Sequence, residues 1–153
     1  MKSELVLMTT RKVGFLKYDV CFLSFFKDEM LITSLDNKKQ KELFLAKKDD
    51  VKESGGGFIK QSMAMQKVIP EYADMIKNMD KTDIMKENTE SIKKESITDI
   101  KFKRAKENND YENNTSSISQ GKLIILLTDK KIKFKHMYQD KNNDLKDYFK
   151  KYL

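Results

Sequence analysis

Residues 122–136, KLIILLTDKKIKFKH, decide how this chain is read. Leu123–Leu127 is a continuous apolar run, too short for a stable helix and stopped by Thr128 and Asp129, both turn formers. It predicts a strand buried on both faces. Beyond the turn at Asp129-Lys130, the segment Lys131–His136 alternates lysine with Ile132 and Phe134. At the two-residue period of a strand this puts the apolar pair on one face and the lysines in water. Upstream, Ile97–Lys103 reads as a further strand. Downstream, Leu145, Tyr148, Phe149 and Tyr152 recur at steps of three and four, one stripe of a helix over Asn142–Leu153. The order predicts a small sheet with a helix laid across its open end.

That second half, from Ser96-Ile97-Thr98-Asp99-Ile100-Lys101-Phe102 through the hairpin to the terminal helix, resembles a bacterial pleckstrin-homology-like (PH-like, GRAM-like) domain. Val20–Lys27 and Glu29–Leu35, the latter containing Leu31-Ile32-Thr33-Ser34, resemble the early hairpin of the same family. Gly55-Gly56-Gly57 followed by an apolar, Met-bearing helix resembles an insertion found in some of its members. The resemblance implies a single α+β domain over residues 1–153. Its sheet is a bent antiparallel sheet or partly open barrel, capped by the C-terminal helix, with an inserted amphipathic helical segment at about residues 54–88. It also implies that Arg11, Lys12 and Lys17, in and after the first loop, are the positions where an anion or lipid headgroup would be held. It implies no activity, because such scaffolds carry unrelated functions.

A chain of 153 residues is long enough to bury a core without metals or disulfides. Its net charge of +7 and pI near 9.3 raise the question of an anionic partner. Lysines are nevertheless interspersed with Asp, Glu and Asn throughout, as on a solubilising surface. With 36% charged residues and a mean hydropathy of -0.70, part of the chain is expected to be a solvated excursion. The segment at about residues 106–120, rich in Asn, Ser and acidic residues, is read as a mobile loop.

Taken in order, Leu5–Met8 and Val13–Lys17 read as the first strands, with a turn at Thr9–Lys12. Residues 1–12 lack a signal peptide's long apolar region and cleavage site. No run approaches the ~20 apolar residues that span a bilayer. A cytoplasmic protein, peripheral to a membrane at most, is expected. The lone Cys21 lies in the apolar run Val20–Phe26 and reads as a buried small hydrophobe. Asp36–Lys48 is polar, with a short strand at Glu42–Ala46. After the glycines, Met63, Met65, Val68, Ile69, Tyr72, Met75, Ile76 and Met79 form an amphipathic helix or two, divided or kinked by Pro70. Thr82 reads as the cap of a further short helix.

No motif carries chemistry. One His and one Cys make neither a zinc site nor a recognisable nucleophile and base. The acidic clusters lack calcium-loop spacing, and no Gly-Lys-Ser/Thr follows the glycines. No cofactor, no metal and no enzymatic activity are expected. The role expected is binding a protein partner or a second copy of the chain, along Met65, Ile69, Tyr72 and Ile76 or at a sheet edge, because flexible thioethers suit adaptable surfaces. The bland alternative is that this stripe packs on the chain's own sheet. An anionic membrane surface is the second expectation. Nucleic acid is disfavoured, since no groove-fitting helix or base-stacking aromatic stands out.

Overall fold

A computed structural model describes residues Met1–Leu153. Strands β1 (Leu5–Gly14), β2 (Lys17–Phe25) and β3 (Glu29–Leu35) run as consecutive hairpins. Helices α1 (Asn37–Glu53), α2 (Phe58–Gln66), α3 (Val68–Asn78) and the single turn α4 (Lys81–Ile84) follow. The chain then returns through β4 (Thr89–Lys93), a 3₁₀ turn (Lys94–Ser96) and β5 (Ile97–Lys103). A ribbon of β6 (Lys106–Asp110) and β7 (Thr115–Ser119) precedes β8 (Gly121–Leu127), β9 (Lys131–His136) and α5 (Asp144–Tyr152). Seven strands make one antiparallel sheet in the order β4-β3-β2-β1-β9-β8-β5, and β6-β7 stand as a separate pair. The fold is mixed α+β.

The two outermost strands of the sheet are neighbours in sequence. Flat, they would lie six spacings of ~4.8 Å apart, roughly 29 Å. The step from Lys93 to Ile97 spans at most ~14 Å, so at that end the sheet must curve its edges toward each other. Its halves meet between β1 and β9 at one paired position, Thr10 with Lys135.

Curvature gives the sheet an inner and an outer face. Leu7, Leu23, Phe25, Met30, Ile32, Leu123, Ile125, Ile132 and Phe134 fill the inside. Helix α5 closes it: Phe25 meets the rings of Tyr148, Phe149 and Tyr152 at 5.3–6.0 Å between centroids. The Tyr152 hydroxyl donates to the Phe26 carbonyl at 2.7 Å. The Asp140 carboxylate accepts from the amides of Leu145 and Lys146, satisfying two donors at the start of the helix.

A second cluster lies on the outer face of β2 and β3, where Phe22, Phe26, Leu31 and Leu35 meet Tyr72, Ile76 and Ile84 from α3 and α4. The strands buried on both faces are therefore β2 and β3. The expectation that Leu123–Leu127 is doubly buried is corrected, since Leu123 and Ile125 are buried while Ile124 and Leu126 are only half covered. No helix lies over β8. An apolar run fixes a strand without specifying what covers it.

Other boundaries also shift. The helical insertion begins at Asn37, well before residue 54, because Asp36 caps a helix of Lys, Glu, Leu and Ala residues with good propensity. The strand expected at Glu42–Ala46 lies inside it. The glycine run ends this helix, with Gly55 at φ +85, a conformation few side chains tolerate. Pro70 sits in the first turn of α3, where no helical donor is lost. Asp80 precedes α4 in place of Thr82. The expected loop at residues 106–120 is largely the paired β6-β7 ribbon.

Glu29 ties the helical layer to the sheet edge. Only 4% exposed, it forms an ion pair with Lys81 and accepts from the Ser91 hydroxyl. Replacing Lys81 with Met should cost about 3 kcal/mol in urea unfolding, and the Lys81→Met, Glu29→Met double variant less, because the single change strands a buried carboxylate. Gly121 is constrained differently: a Cβ there would run into the Lys103 carbonyl and the His136 ring. Gly121→Ala should destabilise by about 2 kcal/mol in the same assay.

Candidate functional site

Reactive side chains are absorbed by the structure. The Cys21 thiol is buried, 3.6 Å from the Ser34 hydroxyl, and desolvation pushes its pKa up, away from the nucleophilic thiolate. His136 is buried beneath a stacked Phe102 ring, 4.7 Å between centroids. Its Nδ1 accepts from the Tyr138 amide and its Nε2 donates to the Lys103 carbonyl, both at 3.0 Å. Both nitrogens are used, and the ring is held neutral. No group of three or more His, Cys, Asp or Glu side chains is arranged to hold a metal.

Of the residues singled out on the helix, Tyr72 and Ile76 are buried against β2 and β3, with Phe22 5.1 Å from the Tyr72 ring. Ile69 is partly buried against the same cluster, and Met65 is half covered. The α3 part of the stripe faces the chain's own sheet, while Met65 belongs to α2, which packs on α1 and α3. Helical periodicity identifies an apolar face but not the surface that covers it.

The basic residues divide along β1. That strand is one continuous element over Leu5–Gly14, so the turn expected at Thr9–Lys12 is absent and the reversal falls at Phe15-Leu16. Arg11 and Lys12 are consecutive and point to opposite faces. Arg11 forms an ion pair with Glu90 at 3.6 Å. Lys12 is exposed and lines a cleft of about 250 Å³ with Tyr18, Lys122, Ile124, Lys133 and Lys135. Lys17 is exposed at the foot of the hairpin, opposite Gly14.

Strand register explains this concentration. Lys103, Lys122 and Lys135 are paired in one row across β5, β8 and β9, and Lys101, Ile124 and Lys133 form the next row. All five lysines are exposed. No ion pair in the structure involves any of them or Lys12. Like charges directly opposite in a ladder repel. Asp99 is the acidic residue of β5 on this face, one row further on, opposite Leu126.

The reversal between β1 and β2 is unusual. Two-residue hairpin turns favour Asn, Asp or Gly, which enter the left-handed region cheaply. Here the two residues are Phe15, 86% exposed, and Leu16, 77% exposed with φ +53. Val13, skipped by the register shift between Lys12 and Gly14, is also exposed. Antiparallel pairing of Thr10 with Lys135 brings Lys131 and the β8–β9 turn to the same end of the sheet. Sequence reasoning missed this tip because it centred the turn five residues early. The signal was available in Lys12-Val13-Gly14-Phe15-Leu16-Lys17, an apolar group bracketed by lysines.

No family model matches this chain, and comparison with curated proteins and with solved structures gives no match. No helix is long and apolar enough to cross a membrane.

Burial lowers the His136 pKa below the ordinary 6.5. The unfolded chain takes up a proton at the ordinary value while the folded ring resists it. Stability from the neutral ring is therefore present above about pH 6.5 and lost as pH falls through the lowered folded value. Urea midpoints should decline as pH falls below roughly 6.5. In His136→Gln that decline should be shallower, although the variant is less stable at every pH.

Proposed function

We propose that this chain is a non-catalytic, PH-like docking module that binds the surface of an anionic membrane through the β1–β2 tip and the lysines beside it. The observation that carries this reading is the tip. Exposed Phe and Leu side chains occupy a turn that polar residues or glycine would form with less strain. A gain outside the folded chain is a physical reason to keep them there. This reading stands ahead of a protein partner or second copy along α3, because Tyr72 and Ile76 are already spent in the core. The PH-like part of the reading is supported by the four-stranded and three-stranded halves meeting at Thr10 and Lys135, and by α5 lying against Phe25.

Dimensions agree with a docked tip. A bilayer's headgroup layer is roughly 5–8 Å thick on each side. Lys12 lies three residues before Phe15, ~10 Å along a strand. With Phe15 and Leu16 among the acyl chains, Lys12, Lys17, Lys131 and Lys133 would sit at or just above the headgroups. Burying the two apolar side chains contributes about 1.5–3 kcal/mol each. Each lysine near an anionic surface adds about 1 kcal/mol. Against the entropy of immobilisation this gives reversible binding.

Flotation with phosphatidylserine-containing and neutral vesicles tests the reading. The protein should float with anionic vesicles, weakly with neutral ones, and less as salt shortens the screening length from ~10 Å to ~3 Å. Phe15→Ser with Leu16→Ser should weaken partitioning about 100-fold or more, with no change in unfolding midpoint or a slight rise. Lys12→Glu with Lys133→Glu should abolish the preference for anionic vesicles. If the protein stays in the soluble fraction under all conditions, or the tip variant floats like wild type, docking through the tip is wrong.

A further inference from the structure

The lysine cleft does not end at the lysines. A second cavity of about 290 Å³ adjoins it, sharing Thr10 and Lys135; Val20, opposite Thr10, also lines it, and beyond them it is lined by Met8, Ile69 and Met137. Each cavity alone is small for an organic ligand, but together they fall within the ~300–1,000 Å³ of typical small-molecule sites. The groove exists because β1 and β9 share a single paired position and then diverge, while α3 rises beside β1. One end is cationic, with a lysine row whose mutual repulsion no acidic side chain relieves. The other end is apolar and partly open, with Met137 51% exposed.

We propose that this groove binds one single-chain anionic amphiphile, its head among Lys122, Lys133 and Lys135 and its alkyl chain between Ile69 and Met137. Charge complementarity selects the head, since the three ammonium groups lack any acidic partner within the protein. Continuity of the two cavities selects a ligand that is polar at one end and linear and apolar beyond it. Tyr18 closes the charged end on the β2 side, its ring 5.9 Å from the Lys135 ammonium. Two methionines at the apolar end suit a flexible chain of variable length. Such a ligand is taken up singly, and its binding does not require the tip to enter a membrane.

The test is calorimetric titration of the whole protein with dodecyl phosphate, below the concentration at which it forms micelles. Saturable binding of one amphiphile per protein is expected, with amide shifts in NMR at Thr10, Tyr18, Ile124 and Lys135. Lys133→Glu with Lys135→Glu, and separately Met137→Asp, should each weaken it by about tenfold or more. All three positions are exposed, so the fold should tolerate the changes. Inorganic phosphate and dodecyl maltoside should each bind at least about tenfold more weakly than dodecyl phosphate. Equal binding of inorganic phosphate would reduce the site to a bare anion patch. Equal binding of the maltoside would make it an unselective apolar surface, and absence of dodecyl phosphate binding would remove it altogether. Any of the three overturns the inference. The Phe15→Ser, Leu16→Ser variant should bind dodecyl phosphate like wild type. If wild type floats with vesicles but binds no dodecyl phosphate, the groove falls and docking stands. If it binds dodecyl phosphate without floating, docking falls and the groove stands.

Discussion

Everything in this structure depends on the short step from β4 to β5. Three residues of 3₁₀ turn separate strands that lie at opposite edges of a seven-stranded sheet. The sheet can satisfy that connection only by curving, and curvature creates the inside that Phe25, Phe134 and Leu123 fill. A curved but open sheet exposes that inside at its ends. The aromatic face of α5 covers one of them, which is why Tyr148, Phe149 and Tyr152 converge on Phe25. The Glu29–Lys81 pair and the Ser91 hydroxyl hold the β3–β4 edge and the helical layer in place around this frame. Buried ion pairs add little net stability over apolar replacements, but breaking one is expensive. The pair therefore acts mainly to fix where the helices dock.

The insertion of α1–α4 between β3 and β4 divides the outer face into two territories. Over β2 and β3, helix α3 supplies Tyr72 and Ile76, and the sheet beneath is apolar on both sides. Over the outer face of β5, β8 and β9 no helix lies, and the outward positions are mostly lysines, with Ile124, Leu126 and Asp99 among them. The charge of +7 is thus not spread evenly as composition alone suggested. Charge pattern follows helix placement, because a face that is never covered must remain soluble. Solubility alone does not require every charge in a row to have the same sign, and that uniformity is what turns attention to anionic ligands.

Local pattern made much of the fold legible. The alternation in Lys131–His136 gave a half-buried strand with Ile132 and Phe134 inward, and the three-and-four spacing of Leu145, Tyr148, Phe149 and Tyr152 gave α5. Facts set at long range were not legible. Leu123–Leu127 looked doubly buried because nothing local says that the covering helix goes to β2 and β3 instead. Asp36–Lys48 looked like a polar stretch with one short strand because its helix buries no side chain fully and lacks a strong apolar stripe. The candidate site was less legible than the fold. Lys12 and Lys17 could be singled out from position, but Lys122, Lys133 and Lys135 join Lys12 only through strand register. The apolar tip was hidden by the assumption that turns are polar, which is a tendency set by strain and not a prohibition.

Attaching an environment-sensitive fluorophore at the tip tests membrane docking most directly. Phe15→Cys provides the attachment point, and Cys21 is buried and should stay unlabelled. Label at position 15 should shift to shorter emission wavelength on addition of phosphatidylserine-containing vesicles and be quenched by acyl-chain quenchers. Label at position 111, on the exposed tip of the β6-β7 ribbon, should report water throughout. Emission at position 15 that stays unchanged while vesicles are in excess would contradict insertion of the tip, and would leave the strained Phe-Leu turn without a physical reason.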